Sequence, residues 1–170
     1  TKGTDGYVEV LISGTPERLS LRYLRGLQDA MAIYWKSRKG KKPAVFSEME
    51  RFSQIGEVSV SELIELTKSC QIALSKTGCP GMMIVFDEFG KFLEYESRFL
   101  GVNDVFLLQA LAEHAHAGHS TKILLLVLLH QSIEQYARGV GESLKNEWAK
   151  IQGRFEEIPF LESAEQILRV

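Results

Sequence analysis

The spacing of apolar positions changes several times along the chain. Tyr7 to Ser13 (YVEVLIS) is rich in β-formers and stops at Gly14, Thr15 and Pro16, which predicts a strand ending in a turn. From about Pro16 the period becomes helical. Leu19, Leu21, Tyr23, Leu24, Leu27, Met31 and Tyr34 share one apolar face, with Pro16 and Glu17 suited to the first turn. Lys36 to Lys42 (KSRKGKK) is polar and ends at Pro43, as an exposed loop does. Ser61 is placed to cap a helix that continues through Leu63, Leu66, Cys70, Ile72 and Leu74 to about Lys76, where TGCPG breaks it. Met82 to Phe86 (MMIVF) is a short apolar run followed by two acids. Asn103 can cap a helix through Val105, Leu108, Leu111 and Ala112, ended by Gly118. Ile123 to Leu129 (ILLLVLL) reads as a strand buried on both faces. Helical stretches follow from Gln131 to about Gln152, then a strand over Arg154 to Phe160, then a last helix from about Ser163.

Strands alternating with helices, with near-continuous apolar central strands, imply an α/β fold: a parallel sheet flanked by helices on both faces. In such sheets functional groups gather where the strands end at their carboxyl side. That points to Asp87, Glu88, His130 and Gln131. The length suits a single α/β domain over residues 1–170. A first residue of Thr1 and a helical pattern still running at Val170 make a piece of a larger protein, incomplete at its N-terminus, the expectation.

Composition narrows the class. Lys and Arg number 20 against 22 Asp and Glu, a net charge of -2, which excludes a general polyanion binder but leaves room for a local basic patch. Two cysteines, Cys70 and Cys79, make no disulfide framework and suit a cytoplasmic, free-thiol protein. The longest apolar run is far below the roughly 20 residues that span a bilayer, so no membrane association is expected.

The acidic pair carries the strongest chemistry. At the end of a parallel strand Asp87 can reach a hydrated Mg²⁺, because hard cations take carboxylate oxygen directly or through water. Glu88, pointing elsewhere, can polarise a water for in-line attack on a terminal phosphate. An ordinary acidic strand end, stabilising a helix N-terminus, is the structural alternative.

MMIVFDE continued by FGKFLEY resembles the Walker B strand of P-loop ATPases of the AAA+ and origin-recognition type. The resemblance implies a P-loop NTPase-like fold that binds ATP and hydrolyses it with Mg²⁺ to drive conformational work. Asp87 would be the metal-associated acid and Glu88 the catalytic base. A second buried strand in that family carries a polar sensor at its end; ILLLVLLHQS is similar, with His130 or Gln131 at that position. Gly153-Arg154-Phe155 is similar to the region holding an arginine finger, which would make Arg154 a group that stabilises phosphoryl charge in a neighbouring subunit. The Gly-rich cradle G-x-x-x-x-G-K-[ST] is absent from these residues. In the family it lies N-terminal to the segment that Tyr7 to Ser13 would represent, so this chain alone is expected to be a poor ATPase. Bacterial ATPases of phage-defence and genome-maintenance systems look similar around DEFGKFLE and LLHQS. The expected partners are therefore nucleotide, nucleic acid and a protein partner or further copies in an oligomer.

Other clusters carry less. His114, His116 and His119 lack the spacing of a zinc motif and suit a helix C-terminus. Lys36, Arg38, Lys39, Lys41 and Lys42 can contact nucleic-acid phosphates or form a solvated loop. Cys70 belongs to a helix's apolar face, while Cys79 in its loop could be a reactive thiol with only Lys76 near it to lower its pKa. A non-catalytic binding module on an α/β scaffold is the alternative to the ATPase reading.

Overall fold

The computed structural model describes residues 6–38, 40–99, 104–118 and 121–159. Its elements run β1 (Val8–Ser13), α1 (Leu19–Lys36), α2 (Val45–Ile55), α3 (Val60–Ser75), β2 (Gly81–Asp87), α4 (Gly90–Arg98), α5 (Phe106–His116), β3 (Lys122–Val127), α6 (Ile133–Tyr136) and α7 (Glu142–Gln152). The strands form one parallel sheet in the order β1-β2-β3, so the fold is α/β. The register sets Ile12 beside Phe86 and Phe86 beside Val127. All three strands therefore finish at the same edge.

Alternation along the strands assigns the faces. Val10, Ile12, Met82, Ile84 and Phe86 point to one side and are fully buried under the helices. Gly26 lets α1 approach that side closely, since a methyl group there would press on the Ile12 side chain. Phe86 stacks on Tyr23 at 6.1 Å and meets Phe89 edge-on at 5.8 Å, and the Tyr23 hydroxyl shares a 2.8 Å hydrogen bond with Thr67 of α3. The opposite side differs from the expectation of helices on both faces. Among the described residues Leu11, Leu124 and Leu128 remain 60%, 51% and 49% exposed, and β3 alternates between exposed and half-buried rather than being buried on both faces.

Helix boundaries follow local chemistry. The cap of α3 is Ser59, two residues before the expected Ser61, because Glu62 then sits three residues on and the two form a reciprocal capping box. Gly118 adopts a left-handed φ of 75° after α5, as its terminating role requires. Asn103 lies outside the described residues, as do Lys39, His119, Phe160 and the helix expected from Ser163. Two helices, α2 and α4, are not among the elements expected above; α2 buries Val45, Met49 and Phe52 on one face, and α4 buries Phe92, Leu93 and Glu96. No strand forms over residues 154–159, where Ile158 is 81% exposed.

The first turn of α1 is held from a distance. Arg18 supplies no side-chain cap, and Asp104 takes that part: its carboxylate accepts from the Ser20 hydroxyl at 2.9 Å and receives Arg18 Nε and Nη2 at 3.1 Å each. Across the same region Glu96 Oε2 accepts the Val105 N–H at 2.7 Å, tying α4 to the start of α5.

Because Phe86 fills the centre of this packing, Phe86→Ala is expected to lower unfolding stability by about 3–5 kcal/mol, and Ile84→Val by only about 1 kcal/mol, as read by urea denaturation.

Candidate functional site at the carboxyl edge of the sheet

Three backbone contacts draw the strand ends together. Gly14 N–H donates to the Asp87 carbonyl at 2.8 Å, Leu128 N–H donates to the Phe86 carbonyl at 2.8 Å, and Phe89 N–H donates to the Leu128 carbonyl at 3.1 Å. The turn after β1, the acidic pair after β2 and the residues after β3 thus form one continuous edge.

Within that edge the two acids diverge. Asp87 is exposed, with Oδ1 accepting the Glu88 N–H at 2.9 Å and Oδ2 without a partner among the described residues. Glu88 has a φ of 50°, a left-handed conformation that a non-glycine residue adopts only when its surroundings hold it there. The cause is visible on both sides. Before it, β2 is laddered to both neighbours; after it, Phe89 is buried and bonded to Leu128. Gly14 completes the constraint, because a side chain there would overlap the Glu88 carbonyl.

The Glu88 side chain lies between two basic groups. Lys91 Nζ donates to Oε2 at 2.6 Å, and His130 Nε2 stands 3.9 Å from Oε1. Lys91, through its hydrogen bond and its charge, holds the Glu88 carboxyl below the usual carboxylate range, with His130 adding a smaller pull in the same direction. Glu88 is therefore an ionised, half-exposed acceptor at neutral pH.

His130 is exposed and belongs to this edge. Gln131, also exposed, lies beside the Tyr136 hydroxyl, and Tyr136 packs over Gly90 at the start of α4. Arg154 is elsewhere. It pairs with Glu113 at 2.8 Å in the last turn of α5, the helix that leads to the opposite end of β3. Within one chain the structure thus brings together Asp87, Glu88 and His130, with Gln131 close behind, and leaves Arg154 apart.

Two members of the edge escaped the sequence reading. Lys91 carries an i,i+3 signal from Glu88, and Gly14 is a glycine directly after a strand; each becomes informative only when the adjacent backbone is known.

The remaining clusters resolve into local contacts. His114 Nε2 meets Gln71 Oε1 at 2.6 Å, and Gln71 in turn donates to the Thr121 carbonyl. Arg38 lies 3.5 Å over the Tyr34 ring, and Lys42 lies 5.3 Å from the Phe46 ring, so two cations of the basic loop rest on its flanking aromatics. Burial pushes the Cys70 thiol up to about 12. Cys79 is also buried, with Sγ 3.3 Å from the Gly81 carbonyl, which counts against a reactive thiol in that loop.

No three potential metal ligands cluster among the described residues. The edge instead offers a single exposed carboxylate, Asp87, which fits a hydrated Mg²⁺ whose other ligands are water and substrate oxygens.

Compared with known proteins, the chain matches no family model, no curated protein and no solved structure.

Two outcomes follow from the packed edge. Gly14→Ala is expected to lower stability by about 1–3 kcal/mol in urea denaturation, since the added methyl meets rigid backbone. Lys91→Met is expected to move the Glu88 titration upward toward the ordinary carboxylate range, as followed by carboxyl-carbon NMR.

Proposed function

We propose that the chain is the core of a P-loop ATPase of the AAA+ or origin-recognition type, which in the intact protein hydrolyses ATP with Mg²⁺ to drive conformational work. The observation that carries this reading is the divergence of two adjacent acids at the end of a central parallel strand, Asp87 exposed and Glu88 turned toward His130.

Each residue has a separable task. Asp87, through its unpartnered oxygen, would hold the Mg²⁺ shell, and the ion would screen phosphate charge when bound. Glu88, ionised and half-exposed, accepts a proton from an attacking water. Lys91 keeps that carboxylate charged and lowers its basicity, so release of the Lys91 contact strengthens Glu88 as a base. His130 or Gln131 would hydrogen-bond the terminal phosphate or the water. Arg154 would act across a subunit boundary, as its distance from the acids within the chain requires. The phosphate cradle is missing from the 170 residues, so this reading needs one supplied from elsewhere in the intact protein.

A non-catalytic binding module is the second reading. It draws on the bare apolar face at Leu11, Leu124 and Leu128, which suits a surface covered by another protein unit.

The two separate by mutation. In the full-length protein, Glu88→Gln is expected to lower steady-state ATP turnover by at least about a hundredfold while ATP binding is retained. Unchanged turnover rejects Glu88 as the base, and no turnover or nucleotide binding in the unmodified protein favours the binding module.

A further inference from the structure

A cavity of about 390 Å³ opens on the helical side of the molecule, walled by the ends of α1, α3, α4 and α5 and by α7. That is the small end of the range for ligand pockets, which run from about 300 to 1,000 Å³. Its apolar wall includes Val60, Phe106, Leu144 and Trp148. Its charged lining is Arg18, Glu96, Asp104 and Glu147, one cation against three carboxyl groups.

Two of those carboxyl groups are already matched. Arg18 is committed to Asp104 through both Nε and Nη2, and Asp104 also holds Ser20. Glu147 pairs with Lys150 at 2.9 Å. Glu96 is different. It is 5% exposed, its Oε2 takes the Val105 N–H, and no Lys, Arg or His among the described residues pairs with it. A buried carboxylate without a cation is unfavourable, and this one faces a cavity with room for the missing charge.

We propose that this cavity binds a small organic cation, a primary ammonium on a short alkyl stem, with Glu96 receiving the charge and Val60, Phe106 and Leu144 receiving the stem. Burial, with the nearby Asp104 charge, pushes the Glu96 carboxyl up to about 7 against the opposing Val105 N–H, so the acid ionises in the range where amines are charged. A bound ammonium removes that penalty. Its hydrocarbon stem gains apolar and aromatic contact, which an inorganic ion of the same charge does not. The site shares no residue with the sheet edge and stands independently of the ATPase reading.

Tryptophan emission tests the proposal, because Trp148 lines the cavity and its buried Nε1–H has no hydrogen-bond partner among the described residues. The protein has two tryptophans, and Trp35→Phe leaves Trp148 as the sole reporter. Titration with n-butylammonium chloride is expected to give a saturable emission change in the millimolar range, absent with n-butanol and with sodium chloride at matched ionic strength. Glu96→Gln keeps an acceptor for Val105 N–H and is expected to lose the response while retaining its far-ultraviolet circular dichroism. In the unsubstituted Glu96 protein, affinity is expected to fall about tenfold between about pH 8 and about pH 6, as protonation of Glu96 removes the charge. No saturable change, an equal response to n-butanol, or affinity independent of pH would overturn the proposal.

Discussion

Strand β2 is laddered on both sides, and that double pairing is the constraint from which the candidate functional edge follows. A strand held by two neighbours cannot rotate or slip without moving every alternate side chain to the wrong face. Met82, Ile84 and Phe86 are therefore locked into the helical core, and the chain leaves the sheet at a determined place and direction. The residues that follow must turn sharply, and Gly14 and Leu128 on either side meet the turning backbone. The left-handed φ of Glu88 is the local strain that results.

Two glutamates in opposite electrostatic states show how burial divides labour in this fold. Glu88, beside Lys91 and open to water, is held below the ordinary carboxylate range. Glu96, on the helix that begins two residues later, is enclosed and pushed up to about 7. The difference arises from surroundings alone: a cation and solvent favour charge at one, while low polarity and a neighbouring Asp104 oppose it at the other. Asp104 itself is drawn into structure, joining the start of α5 to the first turn of α1. Carboxylates in one small domain thus serve as a water-exposed acceptor, a buried unpaired acid and a helix cap.

The bare face of the sheet bears on both functional readings. Parallel sheets are ordinarily covered on both sides, and here Leu11, Leu124 and Leu128 are left exposed while helices pack on the other side. The binding-module proposal rests on this exposed apolar area. That area does not separate the two proposals; the proposed role of Glu88 as a base does.

Sequence periodicity alone determined the order of the main strands and helices, because alternation and the helical repeat are local properties. It also marked Asp87 and Glu88, since two acids directly after an apolar run occupy consecutive positions whatever the fold. The tertiary structure decided the rest. Whether β3 is buried on both faces depends on what lies across the sheet, and seven apolar residues in a row cannot record that. Whether Ser59 or Ser61 caps α3 depends on the reciprocal contact with Glu62. The roles of Gly14 and Lys91, the separation of Arg154 from the acids, and the enclosure of Glu96 all arise from residues distant in sequence or turned by the backbone into contact. Local pattern marks most of the regular segments, though it missed α2 and α4; only the packing of those segments sets which charges meet, which are buried and which face water.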